Sequence, residues 1–325
     1  MQDIVSQING YVWSYWLVGL CLGAGLMFSL LTRFLQVRHF RHMIELLFSS
    51  KESDRGISSF QALTVSLSGR VGTGNIAGVA AAIGFGGPGA VFWMWVVAFF
   101  GAATAYVEAA LGQIYKEEDE GQLRGGPAFY IEKAMGQRWY AWAFAIATIL
   151  ATGLLLPTVQ ANAISTSAEI AFGTNGSLTT ALGTISYTKL GAAIVVVIIF
   201  GFIIFGGVKR IAHVTQVVVP FMALGYIVIA VGIVLWNVSE LPRIVGMILG
   251  DAFTPMAGLG AAIGWGVKRG VYSNEAGQGT APHAAAAAEV QHPAQQGLVQ
   301  AFSVYVDTLF VCSCLLYTSD AADDN

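Results

Sequence analysis

Ser66-Leu-Ser-Gly-Arg70-Val-Gly72-Thr73-Gly74-Asn75-Ile-Ala77-Gly78 lies inside an apolar run over 60–84. Four glycines, several polar side chains and an arginine fall where a membrane helix needs apolar residues. Each internal Gly costs a helix about 1 kcal/mol relative to Ala. A charge at mid-membrane is costly unless it meets water or a partner. The stretch therefore predicts a spanning helix that breaks near its middle. Gly264-Trp265-Gly266-Val-Lys268-Arg269-Gly270-Val-Tyr272-Ser273-Asn274-Glu275-Ala276-Gly277 interrupts the apolar run 254–290 in the same way. The two share a pattern: Arg70-x-x-x-x-Asn75-x-Ala77-Gly78 matches Arg269-x-x-x-x-Asn274-x-Ala276-Gly277.

The composition around them is that of a membrane protein. Only 11% of the 325 residues are charged and 55% are hydrophobic, against about 25% charged in an average soluble domain. A water-soluble enzyme, a disordered chain and a collagenous chain are excluded. The 39 glycines suit closely packed membrane helices. The net charge of −3 offers no basic excess for nucleic acid. Cys21, Cys312 and Cys314 fit no zinc spacing, and Cys21 reads as a small buried hydrophobe.

Runs of about 20 apolar residues predict spans at 12–32, 60–84, 89–115, 140–172, 187–206, 214–237, 254–290 and 297–314. The first is not a cleavable signal peptide, because Met1–Gly10 has no Lys or Arg and no cleavage site follows. Continuous apolar runs exclude an outer-membrane barrel. With the N-terminus outside, eleven of the sixteen basic residues fall in inside loops and only Lys189 and Arg243 in outside ones. The positive-inside rule thus orients the chain N-out. Phe34–Phe48 reads as an amphipathic helix on the inner surface or as a plain basic loop.

The two interrupted spans lie five spans apart and run in opposite directions. Inverted repeats with broken helices at corresponding positions mark secondary transporters. Backbone groups freed in the bilayer persist only where they line a cavity or bind something polar. Half-helix N-termini favour a carboxylate; half-helix C-termini and free carbonyls favour an ammonium group or Na⁺. Both together suit a zwitterion. Gly72-Thr-Gly74-Asn-Ile-Ala77 also fits the dinucleotide fingerprint, but no strand precedes it and no acid follows at the required distance. Val71-Gly-Thr-Gly-Asn75 is not a potassium filter.

Three stretches carry a family resemblance: Ser66–Gly78, Gly125-Gly-Pro-Ala-Phe-Tyr-Ile131, and Lys268-Arg-Gly-Val-Tyr-Ser-Asn-Glu-Ala-Gly-Gln-Gly-Thr-Ala-Pro-His283. Across residues 5–312 the chain resembles the alanine or glycine:cation symporters. The resemblance implies an all-α, multi-spanning, leucine-transporter-like inverted-repeat fold with an extra N-terminal helix. It implies Na⁺ as coupling ion, alanine or glycine as cargo, and a bacterial inner-membrane location. It places the substrate carboxylate and part of the sodium shell at Val71, Gly72, Thr73, Gly74 and Asn75. Trp265, Gly266 and Gly270 then fall at the second break, walling the site and meeting the ammonium, and Gln160 is a polar substrate contact. Leu156-Pro157 departs from the family pattern and puts the local backbone in question.

Other readings of these residues stand beside the resemblance. Thr73 and Asn75 could repair hydrogen bonds at a structural kink, Gln160 could bond a neighbouring helix, and Trp265 could be packing. Arg70, Lys268, Arg269, Glu108, Glu275 and Asp307 are ionisable groups in or near spans, with Glu108 or Glu275 expected to neutralise a base. Lys116-Glu-Glu-Asp-Glu120 reads as a solvated loop.

From Cys314 the text turns abruptly acidic, Cys-Leu-Leu-Tyr-Thr-Ser-Asp-Ala-Ala-Asp-Asp324, like a translated sequencing adapter. The expected organisation is 1–58, a first span with its surface helix; 59–237, the first repeat; 238–313, the start of an incomplete second repeat; and 314–325, a non-native tail. The expected function is symport of alanine or glycine with Na⁺ in the lipid bilayer, with no catalytic residues, organic cofactor, nucleic acid or obligatory protein partner. An H⁺-coupled carrier of the same fold and an ion channel are the alternatives.

Overall fold

In the computed structural model, residues 2–48, 56–180, 183–254 and 258–313 are described. The helices in chain order are α1 (Gln2–Val12), α2 (Tyr15–Leu31), α3 (Leu35–Arg38), α4 (Phe40–Phe48), α5 (Ser59–Arg70), α6 (Thr73–Gly86) and α7 (Gly89–Ile114). They continue with α8 (Pro127–Met135), α9 (Arg138–Thr148), α10 (Leu156–Phe172), α11 (Tyr187–Ile204), α12 (Gly207–Trp236) and α13 (Leu241–Asp251). The last are α14 (Gly258–Asn274), α15 (Ala281–Ala287) and α16 (Pro293–Val304). Among the described residues, five helical stretches are long and apolar enough to cross a membrane: Gln7–Leu31, Gly89–Ile114, Arg138–Phe172, Tyr187–Ile204 and Gly207–Trp236. Of the three further expected spans, 60–84 and 254–290 are interrupted, and 297–314 falls on the continuous helical stretch 293–312. The segment 314–325 lies outside the described residues.

The all-α expectation needs one amendment. β1 (Glu117–Asp119) pairs with β2 (Gln122–Arg124), and β3 (Ser177–Thr180) with β4 (Gly183–Ser186), as two small antiparallel hairpins. The acidic run expected as a loop forms the first of them. Glu120 and Gly121 both take positive φ there, as a tight type I′ connection requires. The stretch 34–48 is helical, as α3 and α4. Met43 and Leu46 of α4 are buried while Arg41 pairs with Glu45 outside.

The hub is α7, which packs against α2, α14, α15 and α16. Its buried face is built from small residues, including Ala98, Gly101, Ala102, Ala105 and Gly112. Small residues let helix backbones approach closely where lipid supplies no hydrophobic drive. A Cβ on Gly25 of α2 would lie 2.8 Å from Phe100 Cβ.

Pro157 does not end its helix. A π-helical stretch, Ile149–Leu155, precedes it. Proline lacks the N–H that an α-helix would use at that point. The ladder passes through wider i→i+5 turns instead, so α9 and α10 form one span. A second π-helical stretch, Tyr305–Cys312, extends α16.

Candidate functional site

The first interruption is where the sequence places it. α5 ends at Arg70, Val71 and Gly72 are extended, and α6 starts at Thr73. The first N–H groups of α6 have no partner within their own helix, and its N-terminus carries partial positive charge. Asn75 folds back over this end: its Oδ1 accepts the Gly72 N–H at 3.0 Å. Gln160 of α10 reaches the same spot. A Cβ on Gly72 would lie 3.1 Å from its amide nitrogen.

The second interruption is displaced from where the sequence places it. Helix α14 runs without a break through Trp265, Gly266 and Gly270 to Asn274, and the chain unwinds over 275–280. The glycines are explained by packing. A Cβ on Gly266 would lie 2.4 Å from the Ala90 carbonyl oxygen, and one on Gly270 3.3 Å from Met94 Cα. Gly266-x-x-x-Gly270 is thus a small-residue seam against α7. Trp265 stacks on Phe85 at 4.8 Å between centroids and lies beneath the cations of Lys268 and Arg269.

The unwound linker has its own chemistry. Glu275, Gly277 and Gly279 all take positive φ. Glu108 of α7 accepts the N–H groups of Gly277 and Gly279, each at 3.2 Å. Glu275 accepts the Thr280 hydroxyl at 2.6 Å. Neither acid makes a direct ion pair among the described residues. Arg70, buried beside α16, donates from Nη1 to the Ser303 hydroxyl, and its charge acts on Glu108, Glu275 and Asp307. Its Nε and Nη2 have no hydrogen-bond partner among the described residues.

The two interrupted helices meet at a buried polar cluster. Asn75 Nδ2 donates to Asp307 Oδ1 at 2.5 Å and to Ser273 Oγ at 3.1 Å. Ser273 and Thr308 donate to Asp307 Oδ2 at 2.7 and 2.8 Å. Asn75, Ser273, Asp307 and Thr308 are all at most 1% exposed. The π-helical turn turns Cys312, five residues after Asp307, to the same side, and Asn75 Nδ2 lies 3.3 Å from its sulfur. The N-terminus of α6 and the C-terminus of α14 therefore face each other across a carboxylate, two hydroxyls and an amide. The carboxylate and the two hydroxyls are oxygen donors of the type hard cations take, while Asn75 presents its amide nitrogen to them.

Sequence reasoning brought Asn75 and Gln160 to this region and missed Ser273, Thr308 and Cys312 as members of it. Asp307 was noticed only as an ionisable group in a span. An acid in an apolar span is itself a functional signal, and it pointed here.

The model of the sodium:alanine symporter family matches residues 1–319. The chain belongs to that family. It is 55% identical to a putative sodium/proton-dependent alanine carrier protein of Bacillus subtilis, over 99% of this chain and 66% of that protein. It is 43% identical to a probable sodium/glutamine symporter of the same organism, over 96% of this chain and 64% of that protein. A sodium/alanine symporter of Methanococcus maripaludis is 39% identical over 96% of this chain and 68% of its own length. The chain thus spans just under two thirds of the length of the first two. Family membership and the apolar helices make it a multi-pass membrane protein of a transporter family, and no member of this comparison is an enzyme.

Proposed function

We propose that the intact protein carries a small neutral amino acid, alanine or glycine, inward with Na⁺ by alternating access in a bacterial inner membrane, with its N-terminus outside. The observation that carries this reading is the meeting of two interrupted helices at Asp307. The α6 N-terminus, through the Thr73 and Gly74 backbone, suits the substrate carboxylate, with Gln160 beside it; Trp265, stacked on Phe85 at the far end of α6, stands outside this site. Asp307, Ser273 and Thr308 suit the cation, together with the Val71–Gly72 backbone, and the Asn75 amide nitrogen holds Asp307 and Ser273 in place. The inverted-repeat architecture belongs to the same proposal, since the two interruptions face each other from spans of opposite direction. Gly266 and Gly270 are assigned to packing.

Uptake of labelled alanine into vesicles containing the protein tests this. Saturable uptake should require a Na⁺ gradient. Asp307→Asn should raise the Na⁺ concentration for half-maximal uptake about tenfold, equivalent to about 1.4 kcal/mol. Asn75→Ala and Gln160→Ala should weaken saturable uptake while leaving membrane insertion intact; unchanged kinetics in both would remove them from the site. A proton as the coupling ion is the second reading. It is favoured by three buried acids, Glu108, Glu275 and Asp307, around the single guanidinium of Arg70. It predicts uptake that persists without Na⁺ and follows a pH gradient.

A further inference from the structure

A slot of about 570 Å³ lies between α2, α7 and the second interruption, apart from the Asp307 cluster. One wall is a stripe of α2, Leu17, Leu20, Cys21, Ala24 and Phe28, with Trp13 from the turn that precedes the helix. That spacing repeats every three or four residues, so the five residues of α2 share one face. From Leu17 to Phe28 the stripe runs about 16 Å at a helical rise of 1.5 Å per residue. Val97, Phe100 and Thr104 of α7 form the second wall. The third is Val271 and Tyr272 of α14, followed by Ala276 and Gly277 of the unwound linker.

The slot is mostly apolar, with Asn274 and Gln278 as polar lining at its linker end, and its walls are helices of a membrane protein. Its Trp13 end carries a charge. The Lys268 ammonium lies 5.5 Å from the Trp13 ring and 4.9 Å from the Trp265 ring. No carboxylate lies within ion-pair distance of it among the described residues. A lysine held by two indoles above an apolar slot matches an anionic head joined to a hydrocarbon tail. Aromatic rings and long basic side chains occupy this position at membrane interfaces.

We propose that the slot holds one acyl chain of an anionic glycerophospholipid, with its phosphate paired to Lys268. The tail would run along α2 and end against Ala276 and Gly277. The lipid would therefore touch the linker that Glu108 pins, and its presence would steady that linker. This goes beyond the transport reading and does not depend on it.

Native mass spectrometry of the protein, released from nanodiscs with equal phosphatidylglycerol and phosphatidylcholine, provides the test. One phosphatidylglycerol should remain bound in preference to phosphatidylcholine. Lys268→Gln should remove that preference, and Lys268→Arg should keep it. Ala24→Phe, which fills the slot and leaves the lysine in place, should reduce retention of either lipid. In nanodiscs of phosphatidylglycerol alone, modification of Cys21 by N-ethylmaleimide should be slower than in phosphatidylcholine alone. Equal retention of the two lipids by the unaltered protein, or unchanged retention in both Lys268→Gln and Ala24→Phe, would overturn the proposal. A folding defect in one variant leaves the other and the Cys21 rate to decide.

Discussion

The two interruptions solve one problem by different means. At Val71–Gly72 the chain spends two extended residues between helices, and a side chain from the new helix, Asn75, caps the gap. At 275–280 it spends six residues, three of them at positive φ; Asn274 and Gln278 cap it locally, and Glu108 of another helix adds acceptors for Gly277 and Gly279. The first break closes on the residues beside it. The second closes locally and is also tied to α7. A short break can be read from the residues that make it, whereas the tie to a neighbour cannot.

The sharpest way to break this comparison is to remove the external clamp. Glu108→Ala leaves the buried Gly279 N–H without an acceptor, costing about 1–3 kcal/mol, and frees the exposed Gly277 N–H to water. The midpoint of thermal unfolding in detergent should fall by the equivalent of about 3 kcal/mol, and Glu108→Gln should restore part of it. A midpoint unchanged in Glu108→Ala would mean that the linker holds itself.

A smaller effect is expected at Gly279. Its φ of +80° is unfavourable for alanine, and a Cβ there would lie 2.6 Å from Pro127 Cγ and 2.7 Å from Phe144 Cζ. Gly279→Ala should destabilise by about 2–3 kcal/mol, combining backbone strain and overpacking, in the same thermal assay. The smallest effect belongs to Gly72→Ala. Gly72 is extended, with φ −169°, so alanine suits its backbone, and the new Cβ meets only the end of Gln160. Its stability cost should stay below about 1 kcal/mol. Its effect should appear instead in alanine uptake, through the displaced Gln160 amide. A large loss of stability at Gly72 would erase the distinction between the breaks.

The same contrast explains what the sequence could and could not reveal. Glycines and polar residues crowded around Arg70 announced the first break within a residue or two. The shared Arg-x-x-x-x-Asn-x-Ala-Gly pattern suggested equal breaks, yet Asn75 follows its interruption and Asn274 precedes its own. Gly266 and Gly270 misled because a helix-breaking glycine and a packing glycine have the same composition. Only the backbone of α7 at Ala90 and Met94 tells them apart. The Asp307 cluster joins residues more than 230 positions apart, and the π-helical turn that orients Asp307 and Cys312 has no sequence signature comparable to a cap or a turn. The helices after the first span and five of the eight expected apolar spans were legible among the described residues, because periodicity and hydropathy are local properties. Pro157 was legible as a disturbance but not as a widened turn.

The glycine seam has a mechanical consequence. With α7 backbone seated against α14 at two points one turn apart, neither helix has clearance to slide along the other. Glu108 then ties the linker beyond Asn274 to the same support. Any rocking of this molecule must carry α7, α14 and that linker as a single plate, and the slippage has to occur at its outer boundaries, where side chains rather than bare backbone form the contact.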